Sequence, residues 1–433
     1  MMAVNAPPAR VTQAPDWKPQ QEDTMVIRRD EPRALVKEET AFAHALMNVR
    51  RSWAGGTEDM QPWGPADFDP NPLVIHDLNG EPLFYDFTAR DEGRDIGRVR
   101  AAASRLVGSG VVAIEQGARR WDPDRAREMA QARAKEDYPG QSAKVKEFVC
   151  YCYPKIGVRV EIGGGKGERG GSVVYDVSDG SQVRTLGDDD LEGQTAYSFL
   201  DSLGPDEHAA RRQRFEVEDE ELEAARKLTP RLLDMDLGRG ELEKAVAEFK
   251  LVSDYALFPF YSSRVIKFGP RCSPHDCFML YAQQTNVYCA VATGQMILDF
   301  YRRYFDQDDI AAAMGTGAGG TSNTGQVTGY ESLSHGCLNA TYDTSALWSE
   351  AKAEIDANRP LKSGIPGHAR ACAGWKRQNF WIIGTQPKKW LQIYDPWPWN
   401  ADICQGGAVY WEDWNAVTHT NFIYVRHETS SHS

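Results

Sequence analysis

The first clear pattern lies in residues 31–53, where Leu35, Phe42, Ala45, Leu46 and Val49 recur at helical spacing with charged residues on the opposite face. The pattern then shifts toward strands. LVIHDLNGEPLFYDF (73–87) predicts two strands around an Asn79-Gly80 turn, a strong short-range hairpin signal. IGRVRAAA and GVVAIEQG predict two more strands. DPDRAREMAQARAK starts with Asp-Pro and predicts a helix. KVKEFVCYCYP, GVRVEIG and SVVYDVSDGSQV follow as strands separated by Gly-rich turns, the last at Asp179-Gly180. Helix plus antiparallel strands, once or twice over, predicts an α+β module within 31–186. VIHDLNGEPLFY and VVYDVSDGSQV resemble strand-turn-strand segments of PepSY-like propeptide domains. That resemblance implies a prodomain that covers a cleft; a substrate- or partner-docking module is the alternative. Cleavage of the chain by itself within 187–250 would favour the prodomain.

Residues 187–250 break the pattern. Asp188, Asp189, Asp190 and the run from Glu216 to Glu223 are acidic and helix-prone, which predicts a solvated helical connector. Apolar residues return in LEKAVAEFKLVSDYALFPFY and lead into a last domain at 251–428. Pro- and Ala-rich residues 1–30 predict a flexible lead-in without the apolar stretch of a secretory signal. The expectation is cytoplasmic residence, with a non-classical export route left open. A length of 433 residues leaves room for two or three domains. A net charge of -13 argues against nucleic acid or an anionic membrane as the main partner. No apolar run reaches the ~20 residues needed to span a bilayer.

Eight cysteines are too few for a disulfide scaffold in a chain this long. Cys150 and Cys152 are two apart in a strand and share a face. Cys272 and Cys277 flank His275 but lack a second ligand pair, so they read as buried thiols or a local disulfide, and no metal or organic cofactor is expected.

The chemistry concentrates in AQQTNVYCAVATGQMILDFYRRYF (282–305), where a helix begins at Cys289. A cysteine in the first turn feels the positive end of the helix dipole, which favours the nucleophilic thiolate. Gln283, six residues earlier, supplies an amide that with the Cys289 N–H can form an oxyanion hole; Gln284 is the other candidate. Alone, this run also fits a buried cysteine on a core helix. A catalytic thiol needs an imidazole. Among His335, His368 and His419, only His368 starts an apolar strand (SGIPGHARACAGW) followed by a second strand that ends in a carboxylate, Asp395 of WLQIYDPWP. As cross-strand partners, Asp395 would hold the His368 tautomer.

Residues 281–425 resemble the papain-like cysteine peptidases, in particular the compact bacterial branch of bacteriocin-leader peptidases and effector proteases. Gln283 before Cys289, Gln307 in DQDDIAAAM, Arg359-Pro360, Gly367-His368 and Asp395-Pro396 carry the resemblance, while Ala290 stands where many relatives have Gly or Trp. It implies a papain-like fold with a helical half carrying Cys289 and a β half carrying His368 and Asp395, acting on a protein or peptide substrate. The same triad could serve a transamidase or acyltransferase, and an inactive binding module is the third possibility. Trp375, Trp381, Trp397 and Trp399 are candidates for a cleft wall or a small core. GTGAGGTSNTG (315–325) lacks the ending of a phosphate loop and predicts a loop bordering the active site.

Overall fold

A computed structural model describes residues 34–428 except 55–56, 65, 164–170, 185–190, 229–232, 234–239, 242–243, 245–260, 267–277 and 379–386. The expectations for residues 1–30, for Asp188–Asp190, for Cys272, His275 and Cys277, and for Trp381 lie outside the described residues. The fold is α+β, with seven helices among the described residues and a large, mostly antiparallel sheet.

The first half begins with α1 (Glu38–Ala54), whose Ala45, Leu46 and Val49 are buried. Five strands follow: β1 (Asp67–Phe68), β2 (Leu73–Asp77), β3 (Pro82–Asp91), β4 (Arg94–Ala102) and β5 (Val111–Gln116). The Asn79-Gly80 turn joins β2 to β3, and Gly80 takes a φ of 92°, a left-handed conformation that glycine adopts without a Cβ clash. Helix α2 (Pro123–Asp137) starts where Asp122 accepts the Arg125 N–H at 2.7 Å, with Pro123 in the first turn. Strands β6 (Ala143–Cys152), β7 (Lys155–Ile162) and β8 (Gly171–Asp176) form an antiparallel run. The short β9 (Leu191–Gly193) and the long α3 (Pro205–Leu228) follow.

The second half holds β10 (Tyr261–Val265), α4 (Cys289–Phe300), α5 (Gln307–Met314), β11 (Gly320–Ser322), α6 (Asn323–Leu333), β12 (Leu338–Asp343) and α7 (Trp348–Asp356). Strands β13 (Leu361–Ile365), β14 (His368–Gln378), β15 (Lys389–Asp395), β16 (Ala408–Asp413) and β17 (Asn421–His427) close the chain.

One sheet of fifteen strands runs β12-β17-β13-β14-β15-β16-β5-β4-β3-β2-β6-β7-β8, with β1 beside β3 and β10 beside β14. Among the described residues only β2 and β6 pair in parallel. The two halves meet where β16 pairs with β5 through Val409–Glu412 and Ala113–Gln116. Trp390, Trp397 and Trp411 pack into the same apolar cluster as Phe84, Phe87 and Phe148, so residues far apart in sequence share one core. Burying aromatic rings of this size contributes about 1.5–3 kcal/mol each, the main drive for joining the two halves.

The acidic helix differs from the expectation of a solvated connector. α3 buries Phe215, Leu222 and Ala225, and several of its carboxylates are paired. Glu218 meets Lys388 at 2.7 Å, Asp219 meets His44 at 2.8 Å, and Glu221 meets Arg51 at 3.0 Å. The partners come from two distant segments, α1 and the residue before β15, which a local reading of charge does not reveal. Of the tryptophans, Trp375 and Trp397 are buried and Trp399 is half-buried.

Candidate active site

Cys289 is the first residue of α4, and no side chain caps this helix at Tyr288. The first-turn N–H groups of a helix have no intrahelical acceptor, so they stay available to a developing negative charge. Cys289, Ala290 and Ala369 form a small packed cluster, which sets the thiol beside the start of β14. His368 begins that strand, one residue before Ala369.

β14 and β15 are direct antiparallel neighbours, with Ala371 opposite Tyr394. Their register brings His368 and Asp395 together: His368 Nε2 lies 2.8 Å from Asp395 Oδ1. The same carboxylate accepts the Trp397 N–H at 2.8 Å and the Tyr410 hydroxyl at 2.7 Å. Arg370 donates to the Tyr410 oxygen at 3.2 Å and pairs with Glu412. His368, Asp395, Arg370 and Glu412 are completely buried. Burial alone would raise the Asp395 pKa, but His368 and Arg370 outweigh it and hold the carboxyl below its ordinary range.

The other ring nitrogen, His368 Nδ1, is buried and has no partner among the described residues. An imidazole fixed through one nitrogen, with the second left open, is arranged to exchange a proton with a group brought to it. Burial lowers the His368 pKa to about 4, against the opposing pull of Asp395. Burial also raises the Cys289 thiol, and the Lys155 ammonium draws it part of the way back. In this arrangement, thiol and imidazole both rest uncharged at neutral pH.

The two glutamines go different ways. Gln283 is completely buried, donates to the Thr285 carbonyl at 2.7 Å and leaves its Oε1 without a partner among the described residues. Gln284 directs its amide toward the Ala401 carbonyl at 3.4 Å. Gln307, at the start of α5, clamps this segment: its Oε1 accepts the Gln284 N–H at 2.9 Å and its Nε2 donates to the Ala282 carbonyl at 2.7 Å. Neither His335 nor His419 takes the place of His368: His335 is exposed with φ 54°, and His419 stacks on Trp414 with its Nε2 3.8 Å from Glu412.

Residues 276–419 match the model of the Peptidase_C39 like family. This Peptidase_C39 like segment spans about one third of the chain, includes Cys289, His368 and Asp395, and supports a cysteine peptidase. A comparison with curated proteins gave no match. Among solved structures, the peptidase domain of Streptococcus ComA, a bifunctional ABC transporter involved in a quorum-sensing pathway, is similar at 14% identity and a TM-score of 0.25. The match covers 35% of this chain and 99% of that one. A double glycine motif protease from an AMS/PCAT transporter, in complex with its leader peptide, is similar at 11% identity and a TM-score of 0.21, covering 34% and 99%. At these TM-scores the likeness carries no inference about activity.

Sequence reasoning did not anticipate the groups surrounding the candidate site. Arg370 and Glu412 are charged residues inside buried strands, where a charge needs a partner. Trp397 follows Asp395 in a D-P-W turn whose carboxylate accepts its N–H, a local Asx-type contact. Lys155, Glu192 and Gly193 lie far upstream of the site in sequence. Lys155 donates to the Gly193 carbonyl at 2.8 Å, and the Gly193 N–H donates to the Gly367 carbonyl at 3.2 Å, directly before His368.

Proposed function

We propose that the protein is a cysteine peptidase that hydrolyses peptide bonds through Cys289, His368 and Asp395. The observation that carries this reading is the buried His368–Asp395 hydrogen bond, which leaves Nδ1 open beside a strand residue packed on Cys289. In the reaction, His368 takes the thiol proton and the Cys289 sulfur attacks the substrate carbonyl carbon. The Cys289 N–H and the Gln283 amide stabilise the oxyanion, Gln283 through the N–H that does not hold the Thr285 carbonyl. The protonated His368 then donates to the leaving amine, Asp395 stabilises the imidazolium, and water resolves the thioester.

The thiolate–imidazolium pair needs more solvation than the buried site provides, so the arrangement fits a latent form. Residues 34–228 then serve as a cover for the Peptidase_C39 like segment, and autoprocessing within 187–250 is one route to activation. The test is intact mass after iodoacetamide, comparing wild type, His368→Ala and Cys289→Ala under conditions that activate the chain. Single labelling at Cys289, slowed by about 100-fold or more without His368, supports the reading. Equal labelling with and without the imidazole overturns it.

A further inference from the structure

Cys289, His368, Asp395 and Gln283 are all 0% exposed. The chain's own segment from Leu191 to Thr195 runs beside this site and contacts Gly367, the residue directly before His368. β9 pairs antiparallel with β11, placing Gly193 opposite Gly320, Glu192 opposite Thr321 and Leu191 opposite Ser322. The strand continues across the site: the Gly193 N–H reaches the Gly367 carbonyl, and the Gln194 N–H reaches the Gly319 carbonyl at 3.3 Å. Thr195 then packs on Gly367, where an added Cβ would lie 2.0 Å from its methyl carbon. An extended backbone held by main-chain hydrogen bonds along an enzyme's strand edge is how peptides are bound by strand addition, with alternate side chains read by pockets.

Two positions of this strand are selective. A Cβ on Gly193 would stand 2.5 Å from the Gly319 carbonyl oxygen and 2.6 Å from the Gly320 Cα, both backbone atoms, so only glycine fits there. The Glu192 side chain is buried in a polar pocket. Its carboxylate pairs with the buried Lys362 ammonium, accepts from Gln326 Nε2 at 2.7 Å and faces Asn421 Nδ2 at 3.5 Å. Asn323 Oδ1 holds the same ammonium at 2.8 Å. Every donor in this pocket comes from residues 323–421, whereas the carboxylate comes from the upstream strand. A buried cation surrounded by amides discriminates strongly for a carboxylate, because a neutral or cationic side chain leaves it unpaired or repelled.

We propose that Leu191–Thr195 lies in the substrate cleft as a built-in, substrate-like occupant, and that the Lys362 pocket selects peptides with a glutamate immediately before a glycine. Occupancy stands on the contacts alone. The specificity rests on the cysteine-peptidase reading above.

The test reads iodoacetamide labelling of each cysteine by peptide mapping on the full-length protein. In wild type, Cys289 should label at least about tenfold more slowly than the exposed Cys337 and Cys404. Glu192→Lys, which sets a second cation against Lys362, should raise the Cys289 rate roughly tenfold or more, and Gly193→Ala should do the same. The charge exchange Glu192→Lys with Lys362→Glu should restore slow labelling. In the Glu192→Lys protein, the peptide acetyl-Leu-Glu-Gly-Gln-Thr-amide should protect Cys289, while its Glu→Lys counterpart should not.

Fast Cys289 labelling in wild type, or labelling unchanged in both folded single variants, overturns the occupancy. Equal protection by both peptides overturns the acidic pocket. If Glu192→Lys accelerates labelling to the same degree with and without His368, the occupancy stands and the peptidase reading fails.

Discussion

His368 Nε2 is 2.8 Å from Asp395 Oδ1, and the carboxylate's further bonds to the Trp397 N–H and the Tyr410 hydroxyl fix it from two other directions. The aspartate is thus a hub, and under the proposed mechanism its loss should affect both chemistry and stability. Asp395→Asn keeps the shape but weakens imidazolium stabilisation and permits the wrong tautomer. The expected outcome is a 10²- to 10⁴-fold fall in kcat with little change in KM on an activated form. Asp395→Ala should also destabilise by roughly 2–4 kcal/mol, because Tyr410 and Trp397 lose a buried acceptor. Steady-state kinetics and urea unfolding separate the two effects.

Behind Asp395, Arg370 and Glu412 are a completely buried ion pair. Removing one partner leaves the other charged in a low-dielectric core. Arg370→Met should cost about 3–5 kcal/mol, whereas the double variant Arg370→Met with Glu412→Leu should recover most of it. A double-mutant cycle in urea unfolding measures the difference, and simple additivity would show that the pair is not coupled.

Much of the local structure behind this site is legible in the sequence, and the reason is distance along the chain. The Asn79-Gly80 turn, the Asp122 cap on α2 and the start of α4 at Cys289 depend on residues within a few positions. His368 and Asp395 are legible because an antiparallel strand pair links their positions. The pairing of β5 with β16 and the bonds of Glu218 to Lys388 and Glu192 to Lys362 have no such local signal. A run such as Glu216–Glu223 reads as solvated until the topology supplies Lys388, His44 and Arg51. Gly193 is one glycine among 38 until the sheet sets it against Gly319 and Gly320.

Gln307 reaches the site only through the segment it clamps, so its role is positioning. Gln307→Ala removes the acceptor of the Gln284 N–H and the donor to the Ala282 carbonyl, letting the segment that carries Gln283 relax. The expected result is a kcat reduced about tenfold with KM within about twofold, because only the oxyanion contact loosens. Gln307→Glu retains the acceptor but not the donor and should fall between. A change confined to thermal stability, with kcat intact, would show that the clamp supports the fold and not the oxyanion hole.

Acid should loosen the closed form. The folded His368 has its pKa lowered from 6.5 to about 4, so the unfolded chain takes up the proton first. The stability from keeping this ring neutral is therefore present above about pH 6.5 and is lost as pH falls toward about 4. His419 is lowered as well and acts in the same direction. Asp413 works the other way: burial raises it to about 6, so its charged form costs stability above that value and the cost is relieved as pH falls through it. Asp77, Asp179 and Asp299, also raised by burial, act with Asp413. Asp86, Asp219, Glu354 and Asp395 are instead held low by their cationic or hydrogen-bonding partners, so their stabilisation is lost with that of the histidines as pH falls. Melting temperature should fall between pH 6.5 and 4.5, and His368→Gln should flatten that slope. Because the same protonation charges the imidazole beside Cys289, a slope unchanged in His368→Gln would mean that the ring is not held neutral in the folded protein.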